Sequence, residues 1–387
     1  AVALALLALA TVVAYWPTFN AAFIWDDDVM VTSNGLVKAA DGLYRMWFTT
    51  QPVDYWPMTG TSLWIEWRFW GMHAGGYHAT NVLLHLGSAI VLWRILARLA
   101  IPGAWLAAAF FALHPVNVES VAWIAQRKNT LSMIFFLLAL LWYLRSDVGP
   151  DAPVIAAPAK RSKAKHAGTR AAPPAPEPPR QDSGSRWYWL SLAAFALAML
   201  SKGSVAMLPP MLLLLAWWQR GTISRRDLVR TLPFFVVAVG LTLVNLWFQA
   251  RGGADAVRDV TLVQRVLGAG AVVWFYLYKA LLPVRLVFIY PQWNIVAASV
   301  LWWLPLIAAV LVTAALLWQR NHPIGRALLF AWCFFGLALV PVMGLTDVYF
   351  MRYSLVADHY QYVALVAVVA GVAAVLYRFT PRPEIAG

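Results

Sequence analysis

Residues 23–31 read FIWDDDVMV, with three consecutive carboxylates, Asp26, Asp27 and Asp28, and no base beside them. Three adjacent like charges repel, so one of them can hold a raised pKa and serve as a general base. Asp26 and Asp28 also form a D-x-D spacing, which can hold a divalent cation, Mg or Mn, through oxygen ligands. A solvated turn that closes a helix is the plainer reading, and the bare pattern leaves both open. Downstream, the stretch YWPMT contributes Tyr55 and Trp56, which could stack on a sugar ring or simply anchor at a membrane interface.

A second constellation is HPVNVESVAWIAQRKN, residues 114–129. Pro115 can start a helix after His114, which would space Glu119, Trp123 and Arg127 at i, i+4 and i+8 on one face. An acid and a base in a segment bounded by apolar runs are costly unless paired or facing a cavity. Either Glu119 pairs with Arg127 or Lys128, or Arg127 and Lys128 take an anionic partner such as phosphate. His114 alone reads as a helix-end hydrogen-bonding residue. Lys202, in LAMLSKGSVAML, interrupts about thirty apolar residues; it either snorkels or presents a positive charge to a lipid-linked phosphate. The fourth cluster, DVYFMRYSLVADHYQY at 347–362, holds Arg352, Asp358, His359, Tyr360 and Tyr362.

The elements that must carry these groups follow from composition. Of 387 residues, 61% are hydrophobic and 12% charged, against about 25% charged in a soluble domain; mean hydropathy is +0.65. Apolar runs near the ~20 residues needed to cross a bilayer recur along the chain. An all-α polytopic membrane protein is expected, because a helix satisfies its own backbone in lipid. The 22 Trp and 14 Tyr suit headgroup belts. The one cysteine, Cys333, excludes an intrachain disulfide and a cysteine metal site.

The net charge of +13 does not point to nucleic acid. Its bases lie at the ends of apolar runs, as the positive-inside rule requires, and in a Pro/Ala/Lys/Arg-rich stretch at 146–186, expected to be a disordered cytoplasmic loop able to meet anionic lipid. That loop would divide an N-terminal half, 1–145, from a C-terminal half, 187–387. Placing the bases in the cytoplasm makes 24–80 a long external loop with interfacial helices. Parity fails at 263–290, which is expected to enter the membrane and return on the same side, giving ten full crossings and one half-crossing; eleven crossings is the alternative. Eleven of the 17 acids then face outward, Asp26, Asp27, Asp28, Asp41, Asp54, Glu66, Glu119, Asp255, Asp259, Asp347 and Asp358. That bias implies a polar chamber on the external face of a plasma (inner) membrane protein. The start, AVALAL, has neither Met nor a basic flank, so a trimmed or replaced beginning is expected.

WDDD, YWPMT, GYHATNVLLH, FALHPVNVESVAWIAQRKNTLS, LSKG, WFYLYKALLPVRLVFIYP and YFMRYSLVADHYQY resemble bacterial relatives of the transmembrane-and-tetratricopeptide-repeat O-mannosyltransferases, over nearly the whole chain apart from 146–186. The resemblance implies a GT-C glycosyltransferase bundle of about ten to eleven transmembrane helices, a polyprenyl-phosphate-linked sugar donor, a protein or glycan hydroxyl acceptor, and inversion. It places the catalytic acid at Asp26 or Asp27, the latter preferred as central. Arg127, Lys128, Lys202 and Arg352 become candidates for the donor phosphate, with Glu119, His114, Asp358, His359 and Tyr360 in support. Two features depart from the family pattern: Gly203 follows the SK lysine, and the sequence stops at Gly387 without repeats, so the protein-acceptor module is expected to be absent, cut off or supplied by a separate repeat-domain partner. A transporter or flippase for lipid-linked saccharides would use a similar chamber, but would show internal repeats, and none is visible. An inactive scaffold is the third alternative.

Overall fold

The computed structural model describes residues 1–147, 183–251 and 257–379. The basic loop expected over 146–186 therefore lies almost entirely outside the described residues. Among those residues the chain is helical and contains no strand.

After α1 (Val2–Ala14), the first long loop carries three short helices, α2 (Gly35–Lys38), α3 (Gly42–Phe48) and α4 (Pro57–Trp70). There follow α5 (Ala74–Arg98), α6 (Ala104–Leu113), α7 (Val118–Ala122), α8 (Arg127–Asp147), α9 (Ser183–Ser201), α10 (Leu208–Arg220) and α11 (Arg225–Arg251). The last four are α12 (Leu262–Leu281), α13 (Val300–Trp318), α14 (Pro323–Leu339) and α15 (Leu365–Phe379). Local chemistry sets the boundaries. Thr261 and Gln264 close a capping box at the start of α12. Gly221, at φ +79°, ends α10 in the left-handed conformation that glycine adopts without strain.

Five helical segments are long and apolar enough to cross a bilayer: α5, 124–147, α11, α13 and 323–342. Helix α13 buries none of its 19 residues against the rest of the chain. One face of α13 still packs on its neighbours, Trp274 donating to the Pro305 carbonyl (2.8 Å) and Trp332 to Thr313 (2.8 Å), and the other presents an unbroken apolar surface that is stable in hydrocarbon and not in water, so the chain is a membrane protein.

Contacts sort the loops into two ends. At the loop-rich end, Thr59 donates to the Ser201 carbonyl (2.9 Å), Gln249 to Asp54 (2.9 Å) and Asn129 to the His359 carbonyl (3.1 Å). At the opposite end, Arg220 pairs with Asp147 (3.1 Å) and Asp227, and Arg230 donates to Ser146 (2.6 Å). The arginines that flank the apolar runs gather there.

Helix α12 is the exception to end-to-end running. Arg265 near its start forks onto Asp347 (2.8 and 2.7 Å), while the Ala280 carbonyl near its finish accepts from His114 Nε2 (3.0 Å). Both ends therefore touch the loop-rich end. The expected entry and return within 263–290 is not what one continuous helix makes; a reversal follows it, in which the buried Lys279 ammonium donates to the carbonyls of Val284 (2.8 Å) and Arg285 (3.0 Å).

The 118–127 segment corrects the sequence reading. It is not one helix: Trp123 adopts extended backbone, φ −87°, ψ 118°, between α7 and a single 3-10 turn at Ile124–Gln126. The i, i+4, i+8 face of Glu119, Trp123 and Arg127 does not exist. Neither does the expected Glu119–Arg127 or Glu119–Lys128 pair. Glu119 goes to His359 and Arg127 to Glu66.

Candidate active site

The three aspartates meet three fates. Asp27 is fully buried; its Oδ2 accepts from the Ile24 N–H (2.9 Å) and its Oδ1 from the Ala125 N–H (2.7 Å). Burial pushes this carboxyl up to about 6, the two main-chain N–H groups pull it back, and the charges of Asp26 and Asp28 raise it further. Asp28 is exposed, and its Oδ1 accepts from the Thr32 hydroxyl (2.5 Å). Asp26 is half-buried and makes no side-chain hydrogen bond among the described residues. One residue earlier, Trp25 sits at φ +44°, a strained conformation for a bulky side chain. Its ring lies parallel to Trp123, with centroids 5.7 Å apart. Trp25 on Trp123 and Asp27 on Ala125 zip the acidic turn to the break between α7 and α8.

The cations divide in the same way. Arg127 is fully buried, and four of its five guanidinium N–H donors go to Asn81 (2.6 Å), Ser62 (2.6 Å), Glu66 (2.7 Å) and the Tyr77 carbonyl (2.9 Å). Its charge is met by Glu66 inside the fold and is turned away from the polar cavity beside Lys202. Lys128, the next residue, turns the other way; its ammonium lies 5.0 Å from the Trp56 ring centroid and is attracted chiefly by Asp26 and then Asp54. Lys202, in the turn after α9, donates to Asn129 Oδ1. Burial pushes its ammonium down to about 7, the Lys128 charge adds to the fall, and Glu119 opposes it. Among the described residues neither lysine forms a salt bridge. Two neighbouring ammonium groups, one of them wedged in an apolar bundle, invite an anion.

Beside Lys202, Glu119 clamps His359 at two points, Oε1 to Nδ1 (2.7 Å) and Oε2 to the main-chain N–H (2.9 Å). Asn129 bridges this pair to Lys202 through its donation to the His359 carbonyl (3.1 Å). A small cavity results, about 10 Å³, lined on one side by Asn129, Ser132, Lys202, Ser204 and His359 and on the other by apolar groups such as Val205. Asp358 points away from it and accepts from the Tyr290 hydroxyl (2.9 Å); burial pushes its carboxyl up to about 7. Arg352 is exposed, next to Tyr353, whose ring edges onto Trp25 (5.3 Å), so it belongs to the rim. His114 is tied to Ala280 and Val116 and acts as a connector. Tyr55 donates to the Trp47 carbonyl (3.2 Å) and packs on Phe248 (5.0 Å), leaving Trp56 as the ring beside Lys128.

Among the described residues no three His, Cys, Asp or Glu side chains are grouped to hold a metal ion; of the D-x-D pair, Asp28 Oδ1 accepts from Thr32 and the Asp26 carboxylate is unengaged.

Sequence reasoning missed four contributors as site residues. Asn129 ends the QRKN run yet joins Lys202 to His359; Asp54 faces Lys128; Glu66 and Asn81 absorb Arg127. Asp54 and Glu66 were visible only as acids in the first long loop. Nothing in the linear order connects Asn81 to residue 127.

No protein-family model matches the chain. Over 148 residues it is 33% identical to protein O-mannosyl-transferase Tmtc1 of Drosophila melanogaster, covering 34% of this chain and 17% of that protein. It is 31% identical over 158 residues to TMTC1 of Mus musculus (37% and 17% covered) and 27% identical over 161 residues to TMTC4 of Homo sapiens (35% and 22%). Over that third of its length the chain is similar to TMTC-type O-mannosyl-transferases, and the match spans 17% to 22% of their length. Among solved structures, ArnT from Cupriavidus metallidurans bound to undecaprenyl phosphate is 17% identical, with a TM-score of 0.46 over 98% of this chain and 60% of that one.

Proposed function

We propose that this chain is a membrane glycosyltransferase that moves a sugar from a polyprenyl-phosphate-linked donor to an acceptor hydroxyl, such as a protein Ser or Thr, at its loop-rich end. That end would face the periplasm or exterior, since Arg220, Arg226 and Arg230 cluster around Asp147 at the other. One observation supports the reading: Lys128, attracted by Asp26, neighbours the buried Lys202, and neither lysine is in a salt bridge among the described residues. The sequence relatives, all named O-mannosyl-transferases, support the same reading.

In this scheme Asp26 takes the proton of the acceptor hydroxyl as its oxygen attacks the anomeric carbon. The bond from that carbon to the phosphate oxygen breaks, and its electron pair leaves with the lipid phosphate. Attack from the face opposite the leaving group inverts the centre. Lys128 and Lys202 are held in place before the charge develops, which is where fixed cations lower a barrier most. Trp56 offers its ring to the sugar, and Arg352 guards the rim. Asp27 and Arg127 hold the two segments in register and do not touch substrate. The isoprenoid tail would lie along the apolar exterior of the bundle, and no step needs a metal ion.

The test is incubation of the purified protein with polyprenyl-phosphate sugars while measuring released lipid phosphate and glycosylated acceptor. Transfer by the wild type, with loss of about 10²–10⁴-fold on Asp26→Asn, supports the reading. Movement of the intact lipid-linked sugar across a bilayer without cleavage would replace it with transport.

A further inference from the structure

Glu119 and His359 form a carboxylate–imidazole pair that the scheme above does not use. The clamp is two-point: Oε1 meets Nδ1 at 2.7 Å and Oε2 accepts the His359 main-chain N–H at 2.9 Å. Holding ring and backbone together fixes the ring and directs the Nδ1 proton to Glu119. Rings wedge the imidazole from three sides, Tyr360 at 4.5 Å, Phe350 at 5.1 Å and Trp123 at 5.9 Å. Nε2 is left without a hydrogen-bond partner among the described residues, and His359 lines the same pocket as Lys202. Tyr360, also lining it, carries a buried hydroxyl with no partner. Buried polar groups are normally satisfied. Lys202 and His359 thus line one small cavity, and Nε2 has hydrogen-bonding capacity to spare there.

We propose that His359, positioned by Glu119, hydrogen-bonds the phosphate oxygen freed when the sugar departs and takes up a proton at Nε2 as the phosphate monoester forms. The inference rests on the glycosyltransferase reading. Breaking the sugar–phosphate bond turns a diester monoanion into a monoester with a second ionisable oxygen, whose pKa is about 6. The acceptor proton goes to Asp26, and the proton on Nε2 comes from solvent. The imidazole then becomes a cation between the Glu119 carboxylate and the phosphate, with the Tyr360 hydroxyl as a neutral donor beside it. The charged and titratable groups facing His359 are Glu119 from α7, Lys128 from α8, Lys202 from the α9–α10 turn, and Asp358 and Tyr360 from its own turn. Burial and the two lysines hold the empty pocket's imidazole below its usual value, and Glu119 pulls the other way. An arriving phosphate cancels the lysine contribution.

The experiment is titration calorimetry of a short-chain polyprenyl phosphate into the full chain in nanodiscs. Runs at about pH 8, in buffers of different ionisation enthalpy, count the protons taken up. Lys128→Arg with Lys202→Arg removes both lysines from the count, because arginine stays charged. In that background uptake should persist, and adding His359→Gln or Glu119→Gln should abolish it and weaken binding at about pH 6 by roughly tenfold. Unchanged uptake in both of these combined variants, each folded by thermal melting, would overturn the role of His359 while leaving the enzyme reading intact. No wild-type binding at any pH would instead refute the glycosyltransferase reading.

Discussion

Asp26 and Asp27 are adjacent, identical in type and opposite in circumstance. Both Asp27 oxygens are filled by main-chain N–H groups, whereas Asp26 is half-buried and unengaged. Asp27→Asn turns an amide nitrogen against one of those N–H groups and should cost about 1–3 kcal/mol, read as a lower melting temperature. Asp26→Asn should leave melting unchanged and remove transfer. Full activity and stability in Asp27→Asn would show that the anchoring role is wrong. Lys202 supplies the pH signature. Its folded pKa, about 7, lies below the ordinary lysine value of 10.5, so between those limits the unfolded chain binds more protons. The empty fold is therefore stabilised as pH rises through that window. Phosphate affinity moves the other way, falling above about pH 7 as the ammonium loses its charge. Lys202→Arg should retain more of its affinity at pH 8, measured with a polyprenyl phosphate.

The helix break at Trp123 positions the site. Had 118–127 continued as one helix, Lys128 would not have left Arg127 to turn toward Asp26, and the Ala125 N–H would have served the helix instead of Asp27. The next contact inward is the Arg127–Glu66 pair, which ties α8 to α4 with side chains 0% and 9% exposed. Glu66→Gln leaves a buried guanidinium without its counter-charge and should destabilise the fold by about 3–5 kcal/mol. If Arg127 held the donor phosphate instead, the same substitution would spare stability and change only lipid-phosphate affinity. Paired melting and binding measurements on Glu66→Gln separate the two.

The bundle sorts its polar groups by end. Asp26, Asp54, Glu119, Lys128, Lys202 and His359 gather at the loop-rich end, and Arg220, Arg230, Asp147 and Asp227 at the other. Orientation across a real membrane can be read with single cysteines, after Cys333→Ala removes the one native thiol. Trp70→Cys, in the first loop, should react with an impermeant thiol reagent from the exterior. Ile223→Cys, between α10 and α11, should react only after the membrane is opened. The reverse pattern would place the site in the cytoplasm and remove a non-cytoplasmic acceptor from consideration.

Composition and the length of the apolar runs were enough to establish a helical membrane protein, because a backbone in hydrocarbon has few other ways to satisfy itself. The motifs WDDD, HPVNVESVAWIAQRKN, LSKG and ADHYQY were legible as places where charge in an oily chain needs a reason. Which of two neighbouring residues faces the chamber was not legible. Asp26 against Asp27, and Lys128 against Arg127, are decided by a strained Trp25, an extended Trp123 and partners 46 to 98 positions away, such as Asn81, Glu66 and Ala125. Periodicity reports the face of a regular helix; at a break, only packing between distant segments determines where a side chain points.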